Sequence, residues 1–316
     1  MLTRRNGPNL ALKGPVRLVM LSRLYYASLR AIGAPALGRL AHNAGPVLCY
    51  HNVVRGRNTN AGDPAVHLPV DKFEAQMRWL VDHYRVVSLG EIVRRLERGR
   101  PLRGLAAVTF DDAYQGVFEH AWPLLLEIGI PATVFVVSDP PARREAYWWD
   151  HPSVDTENTA LREVWLTELR GEGAVIAPVA TATSIPASHR PADWETIAAA
   201  AWAGCTLGVH SATHRTLTRL SETELAEEVV ESWETIRRET GVRAEFFAYP
   251  YGRWSAPVRD AVRQAGYRGA VTLDYGLVAP GADPWALRRV NVPAGISAAA
   301  FEAWCAGLRP RLRGAA

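Results

Sequence analysis

Short apolar runs alternate with amphipathic segments along most of this chain. The apolar runs predict β-strands at residues 46–51, 105–110, 132–137, 206–209, 246–249 and 269–273. Apolar residues at helical spacing predict helices at residues 71–84, 117–128, 194–203, 257–265 and 298–308. Ser88 with Glu91, and Ser221 with Glu224, form capping-box patterns that predict two further helix starts, the second helix running to Gly241.

This alternation of strands and helices predicts a parallel sheet with crossover helices. Its length suits either a closed (β/α) barrel or an open, doubly wound sheet. No GxGxxG or GxxxxGK[ST] sequence follows a strand, so the chain gives no sign of the usual nucleotide sites. Residues 138–190 are less regular, and we interpret them as an insertion that holds the sequence YWWDHP and a polar helix near residues 161–169.

Positive charge is concentrated at the start of the chain. The 316 residues are 48% hydrophobic and 22% charged, as in a folded globular protein, with a formal net charge of +4. Residues 1–47 carry seven Lys or Arg and no Asp or Glu, which leaves a net charge of −3 for the remainder. Because the body is close to neutral, we expect no nucleic-acid partner.

Residues 1–45 form a basic N-terminal segment whose apolar residues recur at the spacing of an amphipathic helix. Its apolar positions share one helical face, with Arg23 and Arg30 on another: Leu18, Leu21, Tyr25, Leu29 and Ile32. Such a helix could lie on an anionic membrane through residues 1–40, or pack on the barrel as an extra helix. The apolar run at residues 18–21 is too short for a signal peptide or a membrane span. We expect a cytoplasmic protein, or one peripheral to the cytoplasmic membrane.

The three cysteines, Cys49, Cys205 and Cys305, are widely spaced and form no CxxC pair. They do not suggest a disulfide framework. We expect them to be buried thiols in a reducing compartment.

Polar clusters follow three predicted strands. Asp111 and Asp112 follow the strand at 105–110, His210 and His214 follow the strand at 206–209, and the sequence YPY at 249–251 follows another. In α/β barrels the C-terminal ends of the strands form one rim, where active sites are built. We therefore expect these three clusters to converge.

The residue types in these clusters suit metal-assisted hydrolysis. On a helical turn, the spacing of His210 and His214 would place both imidazoles on one face. Two histidines and one carboxylate form a common open ligand set for a divalent metal, often zinc. Such a metal activates water and polarises a carbonyl group, while the second aspartate would be available as a base.

The same motifs resemble those of the polysaccharide deacetylases, carbohydrate esterase family 4. TFDD at 109–112 matches the first family motif, HSATH at 210–214 the second, and AYPYG at 248–252 the third at Pro250 and Tyr251. The resemblance spans about residues 46–295 and implies an irregular (β/α) barrel over residues 46–310. It also implies a hydrolase that releases acetate from an acetylated carbohydrate, most readily from an N-acetyl group.

The resemblance implies a role for each motif residue. Asp112, His210 and His214 would bind the metal, which is expected to be Zn²⁺, with Co²⁺ or Ni²⁺ as alternatives. Asp111 would be the general base. The metal and the backbone N–H of Tyr251 would hold the oxyanion of the tetrahedral intermediate.

Two departures from the family pattern affect these roles. Ala248 stands where the family has the arginine that orients the catalytic aspartate, and Arg288 or Arg289 could replace that arginine. The late LxH motif, which supplies the general acid, is absent, because the region reads LRRVNVP. His51 is our candidate for the acid, since it ends a strand on the same rim. Alternatively, His51 only hydrogen-bonds a neighbouring loop.

The insertion and the departures leave alternatives open. Trp148, Trp149 and Asp150 could form a wall on which a sugar stacks, or an ordinary packed lid. The chain could also be a non-catalytic, carbohydrate-binding relic, or a deacylase of a lipid-linked sugar at the membrane surface. Four other histidines have no supporting context and are expected to be surface or core residues: His67, His83, His120 and His189.

Overall fold

The structure is a computed structural model that describes residues 14–56, 62–143, 145–177 and 185–309, with side chains from residue 20 onward. Several predictions therefore fall outside the described residues. They are those for residues 1–13, for the side chain of Leu18, for the loop at 178–184 and for residue 310.

Six strands follow the predicted apolar runs, whereas those at residues 52–54, 67–69, 85–86 and 287–291 were not predicted. In chain order the strands are β1 (Val47–Tyr50), β2 (Asn52–Val54), β3 (His67–Pro69), β4 (Arg85–Val86), β5 (Leu105–Phe110), β6 (Ala132–Val136), β7 (Thr206–Val209), β8 (Phe246–Ala248), β9 (Gly269–Tyr275) and β10 (Leu287–Asn291).

The helices also lie where their patterns predict, with further short ones. They are α1 (Gly14–Ala31), α2 (Ala34–Ala41), α3 (Val70–His83), α4 (Leu89–Glu97), α5 (Trp122–Glu127), α6 (Pro140–Arg143), α7 (Thr159–Thr167), α8 (Gly173–Ile176), α9 (Trp194–Trp202), α10 (Glu222–Ala226), α11 (Ser232–Thr240), α12 (Ala256–Gln264) and α13 (Ala298–Cys305). π-Helical turns at Val117–Ala121 and Glu227–Glu231 lead into α5 and α11. The predicted capping box of Ser221 and Glu224 is present at the start of α10.

Seven strands of the described chain form a closed parallel barrel. Their order around the ring is β1, β10, β9, β8, β7, β6 and β5, and β1 also pairs with β5. Leu48 of β1 is in register with Val290 on one side and with Val108 on the other, which closes the ring. The closed barrel is therefore confirmed, and the open-sheet alternative is wrong.

The predicted strand that ends at His51 is followed by a second strand, which belongs to a different sheet. β1 ends at Tyr50, whose carbonyl oxygen accepts a hydrogen bond from Asp111 at 2.9 Å. After His51 the chain leaves the barrel, and β2 pairs with β3 in a separate parallel pair. His51 therefore lies at the exit from the barrel wall.

Alternation along the strands separates the barrel interior from the outer layer. On β5, Leu105 and Ala107 belong to the interior cluster, whereas Ala106, Val108 and Phe110 pack outward. Side chains in a strand point to opposite faces in turn, so Thr109 and then Asp111 continue the inward series. Apolar residues of α4 join the interior cluster and fill the N-terminal end of the barrel.

The N-terminal helices pack on α13, outside the barrel wall. Trp304 donates a hydrogen bond to the hydroxyl of Tyr26 at 2.7 Å, and Arg30 forms an ion pair with Glu302 at 3.2 Å. This contact corresponds to the extra-helix alternative. Among the described residues, no helix combines the length and the apolar character that crossing a bilayer requires.

Candidate active site

Asp111 and Asp112 lie at the C-terminal end of β5, where the chain turns sharply. Asp112 has φ 69° and Ala113 has φ 49°, a left-handed conformation that is unfavourable for residues with a Cβ atom. Consecutive residues of this kind persist only where the surroundings enforce them, and they often lie at functional sites. The turn lets the two neighbouring carboxylates take different directions, and both are buried.

Arg289 of β10 binds the carboxylate of Asp111 through two parallel hydrogen bonds. The Nη1–Oδ1 distance is 2.7 Å and the Nη2–Oδ2 distance is 2.6 Å. The same guanidinium donates to the carbonyl oxygen of Thr272 and to the hydroxyl of Thr109, so it is fixed on several sides. Of the two arginines proposed to replace the family arginine, Arg289 is the one in contact with Asp111. Arg288 is exposed on the other face of the strand.

This ion pair sets the charge state of Asp111. Burial alone would raise its pKa, but the positive charge and hydrogen bonds of Arg289 outweigh burial and hold the pKa well below its usual range. Asp111 is therefore ionised at neutral pH and is available as a base. The thiol of Cys49 lies 3.4 Å from Asp111 Oδ2, and its pKa is raised by burial, so it remains protonated.

His210 and His214 lie on a loop, so the helical turn predicted for them is wrong. Ser211 has φ 66° and His214 has φ 64°, and these left-handed residues fold the HSATH segment into a tight bend. The Ser211 hydroxyl accepts a hydrogen bond from the backbone of His214 at 3.0 Å. This bend, and not a helix, brings the two imidazoles together.

Buried Glu228, from the π-helical turn before α11, holds this loop from outside the barrel. One carboxylate oxygen accepts hydrogen bonds from the backbone N–H groups of Ala212 and Thr213, each at 2.9 Å. The other accepts from the hydroxyl of Thr213 and from the guanidinium of Arg215. Sequence reasoning missed Glu228, because nothing in its helical pattern distinguishes it from a surface glutamate.

Asp112, His210 and His214 converge on one point. The Nε2 atoms of the two histidines are 3.2 Å apart. Asp112 Oδ1 lies 3.3 Å from His214 Nε2 and 3.6 Å from His210 Nε2. His210 donates its Nδ1 proton to the carbonyl oxygen of Ala248 at 2.8 Å, which leaves the lone pair of Nε2 directed into the site.

These three donor atoms fit a divalent cation. Ligand atoms about 2.1 Å from one tetrahedral centre lie roughly 3.4 Å apart, which matches the observed separations. Asp112 Oδ1 is buried and makes no hydrogen bond with any described residue. A buried carboxylate oxygen without a donor is costly unless a cation compensates it.

Burial also sets the charge states of the three groups. It raises the pKa of Asp112 to about 6 and lowers the pKa of His214 to about 4. Burial lowers the pKa of His210 as well. The imidazoles are therefore neutral at pH 7, the form in which histidine binds metals.

His51 reaches the same cavity from the end of β1. Ligand-type atoms of Cys49, His51 and Asp111 all lie within 4.8 Å of one another. Burial lowers the pKa of His51, and the negative charges of Asp112 and Asp111 oppose that effect. The structure thus places His51 on the Asp111 side of the site.

The YPY sequence after β8 contributes one residue to the site and not two. Tyr249 points to the outer layer, where its hydroxyl donates to the carbonyl oxygen of Trp285. Tyr251, with φ 58°, packs edge-on against the ring of His214, with ring centroids 4.4 Å apart. The predicted convergence of Tyr249 with the other clusters is therefore wrong, whereas Tyr251 lies at the site.

The aromatic sequence of the insertion forms a buried lid. Trp148 and Trp149 are almost fully covered, and only Trp149 lines the cavity, with its ring centroid 4.7 Å from that of His214. Trp148 packs on Trp165 and donates to the hydroxyl of Tyr251. Most of this sequence thus forms packing, and only the part of Trp149 that lines the cavity is available to a ligand.

Asp150 is fully buried in a polar network that sequence reasoning missed. Its carboxylate accepts a hydrogen bond from Tyr114 at 2.6 Å and lies 2.7 Å from His67 Nε2. The Tyr114 hydroxyl in turn accepts from Trp149 at 2.7 Å. This chain of contacts fixes Trp149 against His214, although His67 and Asp150 are 83 positions apart in the sequence.

A cavity of about 440 Å³ opens above the candidate metal site. Residues of α7 form one wall, and two ion pairs tie that helix to the barrel rim. Arg162 binds Asp63 at 3.1 Å, and Arg253 binds Glu163. The insertion therefore shapes the entrance, and the cavity is large enough for a sugar ring with its acetamide group.

Comparison with known proteins agrees with this architecture. The family model described as polysaccharide deacetylase matches residues 98–270, more than half of the chain. This chain belongs to that family.

The relatives of this chain are distant in sequence. YxkH of Bacillus subtilis is 23% identical over 266 residues, covering 84% of this chain and 77% of that protein. The poly-beta-1,6-N-acetyl-D-glucosamine N-deacetylase of Staphylococcus aureus is 22% identical over 225 residues, covering 70% of this chain and 66% of that protein.

Solved structures share the fold. The Streptococcus pyogenes deacetylase PplD, in complex with acetate, superposes with a TM-score of 0.60 at 18% identity. IcaB from Ammonifex degensii gives the same TM-score at 21% identity. Each match covers 84% of this chain and 99% of the other chain. The irregular (β/α) barrel predicted from the motifs is confirmed.

Proposed function

We propose that this polysaccharide deacetylase family member is an active, metal-dependent hydrolase that removes acetyl groups, chiefly N-acetyl groups, from a carbohydrate. The observation that carries the proposal is the convergence of Asp112 Oδ1 with the Nε2 atoms of His210 and His214, beside an Asp111 that Arg289 keeps ionised. The names of the staphylococcal and streptococcal relatives support the same class of reaction.

Asp112, His210 and His214 would hold the cation, for which Zn²⁺ is the proposed identity because two imidazoles and one carboxylate are a common zinc ligand set. The bound cation supplies Lewis acidity, which acidifies a water molecule and polarises the acetyl carbonyl group. The tight bend of the HSATH loop keeps the two imidazoles in place before substrate arrives.

Asp111 takes the proton of the attacking water. Its two contacts with Arg289 fix the carboxylate and keep its pKa low, so the group is ready to accept a proton at neutral pH. The backbone N–H of Tyr251 donates to the oxyanion that forms on the acetyl carbon.

His51 delivers a proton to the leaving amine nitrogen. The chain has no histidine after His214, so the usual late histidine cannot do so. His51 lies near Asp111 on the cavity wall, which gives a proton accepted by Asp111 a short route to the imidazole. The sugar itself would contact the part of Trp149 that lines the cavity.

The alternative of a non-catalytic relic rests on Ala248 and the missing LxH motif. The contact between Arg289 and Asp111 speaks against it, because an equivalent charge partner reaches the base from another strand. Asp111→Asn is the decisive variant. We expect it to retain bound metal and to lower acetate release from acetylated oligosaccharides at least about 100-fold, as expected for loss of a general base. An unchanged rate, or wild-type protein that binds saccharide and metal without releasing acetate, would refute the proposal.

A further inference from the structure

The helices α1 and α2 carry an unusual concentration of exposed apolar side chains. Of the fourteen large apolar residues exposed in the described part of the chain, seven lie between residues 20 and 40. We call them the N-terminal apolar face: Met20, Leu21, Leu24, Tyr25, Ile32, Leu37 and Leu40. Leu24, Ile32 and Leu40 are 57%, 73% and 68% exposed. Single apolar residues scattered over a surface need no explanation, but a group of this size does.

The two sides of α1 are clearly separated. Tyr26 is buried and, with the half-buried Leu29, packs toward α13, while Met20, Leu21, Leu24 and Tyr25 are exposed. On the exposed side, Ser28 Oγ donates to the carbonyl oxygen of Leu24 at 3.0 Å. It therefore needs no water partner when the face is covered.

The charge around this face identifies the kind of surface that covers it. Residues 1–47 contain seven basic and no acidic residues. Arg23 lies beside the apolar side of α1 and has no ion-pair partner among residues 14–56, 62–143, 145–177 and 185–309. Two copies of the chain that met through this face would bring these positive charges together, whereas an anionic surface would neutralise them.

We propose that the N-terminal apolar face is a docking site for an anionic lipid membrane. Leucine, methionine and tyrosine side chains would enter the boundary between headgroups and acyl chains, and the basic residues of the segment would bind lipid phosphates. The surface lies on the α13 side of the barrel, and none of its residues lines the cavity at the candidate metal site. The proposal is therefore independent of the deacetylase activity.

The test measures binding of the full chain to vesicles by sedimentation. We expect binding to vesicles of equal phosphatidylcholine and phosphatidylglycerol, and at least tenfold weaker binding to phosphatidylcholine alone. The double variant Leu21→Asp/Leu24→Asp should raise the apparent dissociation constant for the anionic vesicles at least tenfold. Because both positions are exposed, its circular dichroism spectrum and melting temperature should remain close to wild type. Leu37→Asp/Leu40→Asp on α2 gives a second, separate variant.

The matched control is Trp202→Asp/Val230→Asp. Both residues are exposed, and they lie on α9 and on the π-helical turn at Glu227–Glu231, which pack against α11. This control adds the same two negative charges and removes two large apolar side chains, so it should bind vesicles like wild type.

Three results would overturn the proposal. The first is wild-type protein that does not sediment with anionic vesicles, and the second is equal loss of binding in the control and in the α1 and α2 variants. The third is a concentration-dependent dimer in light scattering that the α1 variant abolishes while vesicle binding persists unchanged. That third result would assign the face to a second copy of the chain. None of these readouts depends on acetate release.

Discussion

The guanidinium of Arg289 and the carboxylate of Asp111 meet in a planar, two-point contact inside the barrel, although they are 178 positions apart in the sequence. Both groups are buried, so each charge depends on the other for compensation. The contact therefore controls both stability and the proposed base.

Replacing Arg289 by lysine should separate these two effects. An ammonium keeps the positive charge but cannot form both parallel hydrogen bonds, so Asp111 should lose its fixed orientation. We expect acetate release to fall about 10- to 100-fold and the free energy of unfolding to fall by about 1–3 kcal/mol. Steady-state kinetics and urea unfolding would measure the two quantities.

The adjacent Arg288→Lys variant is the control, because Arg288 is exposed on the other face of β10. Its activity and stability should match wild type. Equal losses in both variants would show that the strand, and not the ion pair, had been disturbed.

The proposed acid role of His51 predicts a dependence on the leaving group. A sugar amine needs a proton to leave, whereas a nitrophenolate ion leaves without one. His51→Gln should therefore lower the hydrolysis of an N-acetylated oligosaccharide at least about 100-fold. It should change the hydrolysis of 4-nitrophenyl acetate much less. Similar losses on both substrates would contradict the acid role, and His83→Gln, on the exposed end of α3, should affect neither.

Metal binding should release more protons at pH 6 than at pH 7.5. Burial raises the pKa of Asp112 to about 6, so at pH 6 roughly half of these carboxyl groups carry a proton that a cation must displace. The lowered pKa values of His210 and His214 reduce the number of protons that the imidazoles themselves release. Titration calorimetry in buffers of different ionisation enthalpy measures the release. Equal release at the two pH values would contradict this assignment.

The same experiment identifies the ligands. His214→Ala should weaken cation affinity at least about 100-fold and remove the rise in melting temperature on adding the metal. His83→Ala should leave both unchanged. A variant of His214 that binds the cation normally would exclude it from the ligand set.

Tyr114 should affect saccharide binding, because it holds Trp149 in place. Its hydroxyl joins Asp150 to the indole of Trp149, so Tyr114→Phe removes two hydrogen bonds and frees a tryptophan that lines the cavity. We expect the KM for acetylated oligosaccharide to rise about 3- to 10-fold, and stability to fall by about 1–3 kcal/mol.

Tyr84→Phe removes a buried hydroxyl that donates to the carbonyl oxygen of Cys305, and neither residue lines the cavity. It should lower stability in the same way and leave KM unchanged. A KM that moves equally in both variants would mean that the network acts only through general stability.

Local pattern was enough to predict most of the barrel. The strand at residues 105–110 and the capping box of Ser221 with Glu224 are set by side-chain burial and by hydrogen bonds over three or four positions. The motif residues Asp112, His210 and His214 could be found for a related reason, since each directly follows or lies close to a strand end. Their resemblance to family motifs then supplied roles for them.

Contacts made across the fold could not be predicted in the same way. The choice between Arg288 and Arg289 depends on which strand face meets the barrel interior, and the sequence alone did not fix that register. His67 and Asp150 show no local pattern, because their contact exists only after the insertion folds over the rim. The break at His51 likewise follows from the pairing of β2 with β3, which lies outside the barrel.

Glu228 links the candidate metal site to a region that contacts no substrate. Its carboxylate belongs to the outer helical layer, yet it tethers the two backbone amides between the imidazoles. The spacing of those imidazoles therefore depends on how α10 and α11 pack on the barrel wall. A substitution that disturbs the packing of these two helices would therefore weaken cation binding first. The cation affinity would decline well before the barrel itself unfolds.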